Sequence, residues 1–406
     1  MAEPTHPARQ DGMLSRRRAL GLIGAAGAMG SGLIMPSSAK AAESDSPSGP
    51  PGPSAIALAA WEAGVLFGLT EDSWFDSPNG DALRQLVLQE AHIFASGNSF
   101  KDEVLHHDLD TFDWSSPDQM MQYAKDSYMP IHAHNLVWND NNAEWMKQLS
   151  GNELRYQLDR HLDTVVEHYL NFSAYLPPEK RKQKKWIVVN EPIAPWEREE
   201  PDPKFRKGPW YTAFGKDYIA RAFRRVRAID GEAKLILNEA NTERDDSTGQ
   251  DARSLLLQLV DELQQEQVPF DVVGLQGHLL IDRSTFAENA YADFLAELAT
   301  KVPEIHITEF DVDDRGFVDD IDERDAQVAK QYSVFAKTAL ANTSVKEFIV
   351  WGVDNQHSWY NRLPAGQSTG RPARPLLFDD SLQPTPAYLA LLDAFKHAPE
   401  RVRNPL

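Results

Sequence analysis

The chain has 406 residues, 42% of them hydrophobic and 25% charged, with a formal net charge of −20. That length can fill the core of one large α/β domain, and so acidic a surface repels nucleic acid and anionic membranes and speaks against a polyuronate as ligand. Cysteine is absent, which excludes disulfides, thiolate nucleophiles and sulfur-bound metals and leaves stability to packing.

The N-terminus carries Ser15-Arg16-Arg17-Arg18-Ala19-Leu20, then a Gly/Ala-rich apolar run to Met35 and the small-residue stretch Ala39-Lys40-Ala41. This resembles a twin-arginine export signal over residues 1–41, whose apolar run is short and Gly-rich for a spanning helix. The expectation is a protein exported to the periplasm or medium, with no stable membrane association once the signal is cleaved. The leader holds five basic and two acidic residues, so the remainder carries −23. A Pro/Ser/Gly-rich linker over 42–55 should then lead into a single domain over 56–400.

Eight strand-like runs follow in chain order: Val65–Leu69, Ile93–Ser96, Pro130–Val137, Trp186–Asn190, Leu235–Asn238, Val272–Gln276, Ile305–Glu309 and Phe348–Gly352. Helical patterns separate them. Asn152–Tyr169, for example, repeats Leu154, Leu158, Leu162, Val165 and Val166 at helical spacing, and Tyr218–Ile229 is similar. Strand-helix alternation repeated eight times closes most simply into a single-domain (β/α)₈ barrel of the α/β class. An open doubly wound sheet fits less well, because no Gly-rich phosphate loop follows the first strand.

Two of these strands run straight into a carboxylate: Trp186-Ile187-Val188-Val189-Asn190-Glu191-Pro192 and Ile305-His306-Ile307-Thr308-Glu309-Phe310-Asp311. The C-terminal rim is where barrels of this kind place chemistry, and two carboxylates converging there are the minimum equipment for cleaving a glycosidic bond. Asn98, His134, Glu239, Gln276, His278, Asp311 and Trp351 fall at the same rim.

Over residues 60–395 the chain resembles glycoside hydrolase family ten, the retaining endo-β-1,4-xylanases. The resemblance is carried by His134-Asn135-Leu136-Val137-Trp138, Trp186 to Glu191, Pro209-Trp210-Tyr211 with Gly215 to Ile219, Gly274-Leu275-Gln276-Gly277-His278-Leu279, Ile307 to Asp311, Trp351-Gly352-Val353 through Ser358-Trp359, and Leu377-Phe378-Asp379 with Pro384 to Tyr388. It implies Glu191 as general acid/base and Glu309 as nucleophile of a double displacement on β-1,4-linked xylan or a related decorated polysaccharide. Asn190 and Gln276 then support the sugar and the acid/base, while His278 and Asp311 orient the nucleophile. Asn98, Lys101, His134, Trp138, Trp351 and Trp359 are implied as substrate-binding residues. The reaction calls for no cofactor and no metal, and the only expected partner is a polysaccharide or oligosaccharide bound by a monomer. An ionised Glu309 should also favour the protonated form of Glu191.

The departures from the family pattern fall at sugar-binding positions. Gly97-Asn98 stands for a Glu-Asn pair, Asn139 for His, Asn141 for Gln, and Asp354 to His357 for Thr-Asp-Lys-Tyr. A charged insertion from Glu197 to Lys207 follows Glu191 and should shape the aglycone side. Two other functions stay open on the residues alone. The pair His132-Ala133-His134 could open a metal site for a barrel hydrolase, with His278 and Asp311 as further ligands. A non-catalytic carbohydrate-binding barrel would explain the altered sugar positions.

Overall fold

The computed structural model describes residues 53–71, 77–172, 184–196, 204–280, 285–317, 319–363 and 371–402. The expected leader, most of the linker and the first part of the insertion after Glu191 lie outside the described residues. The first helix begins at Ala55, capped by the Ser54 side chain.

Eight parallel strands form the sheet: β1 Leu66–Glu71, β2 Ile93–Ser96, β3 Ile131–Ala133, β4 Lys185–Asn190, β5 Lys234–Glu239, β6 Val272–Leu275, β7 Ile305–Asp313 and β8 Val345–Val350. Each pairs with the next, and β8 pairs with β1, so the sheet closes into the (β/α)₈ barrel expected from the sequence. The strand positions match the sequence reading to within a few residues, with two informative differences. The run expected as Pro130–Val137 leaves the ladder after Ala133 and rejoins β4 only at Val137–Trp138, which frees His134 from regular pairing. Strand β7 continues four residues past Glu309 because a short segment, His278–Leu280, pairs with Asp311–Asp313.

Helices fill the connections, among them Gly80–Glu90, Ser115–Ser127, Gly151–His168, Asp217–Ile229, Ser247–Gln265, Glu288–Lys301 and Ile321–Ala341. Gly151–His168 shows why the pattern was readable. Its apolar residues at helical spacing, Leu154, Leu158, Leu162, Val165 and Val166, are all buried against the strands. Burying such side chains stabilises by about 1.5–3 kcal/mol each, which sets the register of the helix on the barrel. No helix among the described residues is long and apolar enough to cross a membrane.

The barrel lumen is not wholly apolar. Lys185 Nζ lies 2.8 Å from Glu347 Oε2, with both side chains almost fully buried. His132 Nδ1 sits 3.0 Å and His306 Nδ1 3.4 Å from the other oxygen of Glu347. Burial pushes the Glu347 carboxyl up, but the surrounding His306, Lys185 and His132 override it and hold the group well below the usual carboxylate range. Charge is thus compensated within the lumen, as a buried ion must be.

Candidate active site

Glu191 is the first residue past β4 and adopts φ of 47°, the left-handed region that non-glycine residues seldom occupy. Its N–H donates to the Asn238 carbonyl at 2.9 Å, so the turn is held by a neighbouring strand while the side chain is aimed at the rim. Local backbone strain of this kind persists where the surroundings over-determine the conformation. Three donors converge on the carboxylate. Gln276 Nε2 donates to Oε1 at 2.8 Å, Trp138 Nε1 to Oε2 at 3.3 Å, and Arg206 Nη2 also reaches Oε2.

Glu309, in β7, is only 4% exposed. Asn238 Nδ2 donates to its Oε1 at 2.7 Å, His134 Nε2 stands 3.5 Å from the same oxygen, and His278 Nε2 stands 3.3 Å from Oε2. Burial alone would raise this carboxyl, but the two imidazoles beside it hold it well below its ordinary value. These neighbours favour its carboxylate form. His278 is in turn fixed through Nδ1, 2.7 Å from Asp311 Oδ1. Although burial opposes its charge, Asp311 and Glu309 raise its pKa well above the usual histidine value. Asp311 itself is fully buried and accepts hydrogen bonds from Trp359 Nε1 at 2.7 Å and from the Tyr360 hydroxyl at 2.9 Å.

One hydrogen-bonded chain joins the two carboxylates. Gln276 Nε2 reaches both Glu191 and, at 3.4 Å, Asn190 Oδ1, and Asn238 Nδ2 bridges Asn190 Oδ1, at 2.8 Å, and Glu309. Asn190, whose oxygen is taken twice, also lines the cleft. Thr308 Oγ1 donates to Asn238 Oδ1 at 2.7 Å, and a Cβ at Gly274 would lie 2.4 Å from that oxygen, so a glycine on β6 makes room for the bridge.

The cleft above these groups encloses about 690 Å³. Lys101, His134, Trp138, Asn190, Glu191, Gln276, His278, Glu309, Trp351 and Trp359, ten of the residues expected from the sequence, line it together. Trp351 packs edge-on against the His134 ring at 5.1 Å, which ties the aromatic wall to the nucleophile's neighbour. Lys101 lies over the Trp138 ring, 5.3 Å from its centroid.

Several expected positions do other work. Asn98 accepts from Lys101 Nζ at 2.6 Å and so steadies a lysine of the cleft. Gly97 is buried and is not among the described residues that line the cleft. Asn139, read as an altered sugar contact, is buried and accepts from the backbone N–H groups of Trp210 and Tyr211 at 3.1 and 3.3 Å. It tethers the segment after the insertion. Asn141 does line the cleft, with φ of 47°.

The metal reading of His132 and His134 fails on depth. Both residues are buried, but His132 is committed to Glu347 beside the Lys185 ammonium, whereas His134 lies in the cleft at Glu309. His278 and Asp311, the further ligands that reading needs, hold each other. His132, His306 and Glu347 do bring three donor atoms within 4.8 Å of one another, yet with Lys185 on the same carboxylate the cluster already carries its cation.

Sequence reasoning missed Asn238 and Arg206. The first had a usable signal, since a polar residue at an inward strand position near the rim needs a partner. Arg206 had none, being one basic residue in a run of mixed charge.

The family model of glycosyl hydrolase family 10 matches residues 55–394. The chain is 29% identical over 341 residues to the thermostable celloxylanase of Thermoclostridium stercorarium, covering 79% of this chain and 82% of that protein. It is 28% identical over 314 residues to the β-1,4-xylanase of Dictyoglomus thermophilum, covering 75% and 82% respectively. The crystal structure of native xylanase 10B from Thermotoga maritima superposes with a TM-score of 0.72 at 23% identity, over 84% of this chain and 98% of that one, a likeness of fold. Since the family match runs from the first helix into the last, this chain belongs to glycosyl hydrolase family 10.

Proposed function

We propose that this protein is an endo-β-1,4-xylanase that cleaves xylan with retention of anomeric configuration, Glu309 acting as nucleophile and Glu191 as acid/base. The observation that carries this reading is the contrast between the two rim carboxylates. Glu309 is buried and held charged by two imidazoles and Asn238, while Glu191 opens on the cleft among donors and is wired to Glu309 through Gln276, Asn190 and Asn238. A charged nucleophile attacks the anomeric carbon as the acid protonates the leaving oxygen; the same acid, once deprotonated, activates water against the glycosyl-enzyme. His278 and Asp311 position Glu309, and Asn190 donates toward the sugar. Lys101, His134, Trp138, Trp351 and Trp359 bind the chain, the aromatic faces meeting apolar sugar faces. A carbohydrate-binding barrel without turnover would have no use for a nucleophile held charged at such a desolvation cost.

The name of the Thermoclostridium relative makes β-glucan the competing backbone. The test is release of reducing ends from linear and decorated xylans and from mixed-linkage and β-1,4-glucans. Turnover on xylans at least about 10-fold above any glucan in kcat/KM supports the proposal; equal or better turnover of glucan refutes it. We further propose that the enzyme acts outside the cytoplasm, a reading supported by the twin-arginine pattern of Ser15 to Leu20.

A further inference from the structure

Arg206 is held by four contacts, and only one of them involves the Glu191 carboxylate. Its Nη2 pairs with Glu191 Oε2, its Nε donates to the Glu191 carbonyl at 3.1 Å, its Nη1 donates to Asp140 Oδ2 at 3.1 Å, and its guanidinium lies 4.8 Å from the centre of the Trp196 ring. The backbone brings it there. Residues 204–206 fold back antiparallel on the segment after Glu191, with Ala194 N–H donating to the Lys204 carbonyl at 3.0 Å, Arg206 N–H to the Pro192 carbonyl at 2.8 Å, and a bridge between Ile193 and Phe205. The side chain is 12% exposed, against 56% for Asp140.

The arrangement poses a problem for catalysis. With Gln276 on Oε1 and both Trp138 and Arg206 on Oε2, every described hydrogen bond to the Glu191 carboxylate comes from a donor. A proton on Oε2 would face the guanidinium N–H. The carbonyl, Asp140 and Trp196 contacts do not depend on the carboxylate, so the guanidinium stays anchored beside Glu191 when a proton on Oε2 ends their ion pair.

We infer that Arg206 is a positioning residue for the acid/base, one that grips Glu191 while it is a carboxylate and is left to Asp140 and the Glu191 carbonyl when Glu191 carries the proton. In the first step the proton passes from Glu191 to the glycosidic oxygen, the bond from C1 to that oxygen breaks with its electron pair going to the oxygen, and Glu309 bonds to C1. Arg206 then closes on the new carboxylate. In the second step water bonds to C1, its proton passes to Glu191, the C1–Glu309 bond returns its pair to Glu309, and Arg206 is released. The charged groups around Glu191 are Arg206 and Asp140 from the loops, Lys101 beyond β2, Glu239 on β5 and Glu309 on β7. Of these only Arg206 touches it.

This inference rests on Glu191 as the acid/base, and Arg206→Met with Arg206→Lys tests it. On a dinitrophenyl xylobioside, whose departure needs no acid, Arg206→Met should lower kcat by about 10- to 100-fold and lower KM in parallel, because glycosyl-enzyme accumulates; kcat/KM should stay within about 3-fold. Arg206→Lys should restore part of kcat. On xylo-oligosaccharides the basic limb of kcat/KM should move to higher pH in Arg206→Met, since the cation favouring the carboxylate is gone, and to lower pH in Asp140→Asn, which leaves Arg206 no competing partner. Equal losses of kcat and kcat/KM on both substrates with unmoved limbs would make Arg206 a loop brace and overturn the inference. If Glu191→Ala itself shows no dependence on leaving group, the assignment of Glu191 fails instead.

Discussion

Glu309→Ala is expected to fold and to lose turnover on every substrate, by about 10⁴-fold or more, because no neighbouring group can take the place of the nucleophile. The stability cost is small for a stated reason. The side chain is nearly buried, and its removal leaves the Asn238 amide without one acceptor and two imidazoles without their anion. An unpaired buried donor costs about 1–3 kcal/mol, which in a domain of this size shifts Tm by only a few degrees. Water entering from the cleft relieves part of that. Activity assays on polymer and aryl glycoside together with a thermal melt check the result; residual turnover near wild type on any substrate contradicts it.

Glu191→Ala should separate the two halves of the reaction. Without an acid, polymer cleavage falls by about 10²- to 10⁴-fold, whereas glycosylation by a dinitrophenyl glycoside, whose leaving group needs no proton, stays within about 10-fold. Deglycosylation loses its base, so the intermediate accumulates. The vacated place is lined by the donors that met the carboxylate, namely Gln276 Nε2, Trp138 Nε1 and Arg206. A small anion fits among them, and added azide should restore turnover and yield the β-glycosyl azide. Equal loss on both substrate types with no azide product would remove Glu191 from its role.

The strand ends were legible in the sequence because chemistry there coincides with local pattern. Trp186 to Glu191 and Ile305 to Asp311 are β-favouring runs that stop at a carboxylate, and the resemblance linked His278 and Asp311 to Glu309, which the structure joins because Glu309 and Asp311, two apart on one strand, share a face. What the sequence hid lies in contacts between loops. Asn139 follows the third-strand Trp138 and looked like a sugar ligand, yet its side-chain Oδ1 is taken by two backbone N–H groups of a segment some seventy residues later. Arg206 reaches Glu191 only because the insertion turns back on itself, a pairing of Ile193 with Phe205 that no periodicity announces. His132 and His134 share a face as expected, but sequence gives parity without depth. A residue two positions lower in a barrel meets the lumen, and there Lys185 and Glu347 form a layer of their own.

The central claim, that Glu309 attacks the anomeric carbon in the cleft shared with Glu191, is tested most directly by trapping the intermediate. A 2-deoxy-2-fluoro xylobioside with a dinitrophenyl leaving group slows both steps but hydrolysis of the glycosyl-enzyme more, so the covalent species should accumulate. Peptide mapping by mass spectrometry is predicted to find one fluoroxylobiosyl group per chain, on the peptide containing Ile305 to Asp311 and on Glu309 within it. A label on any other residue, or inactivation-free turnover with no covalent adduct and inverted product, would contradict the account.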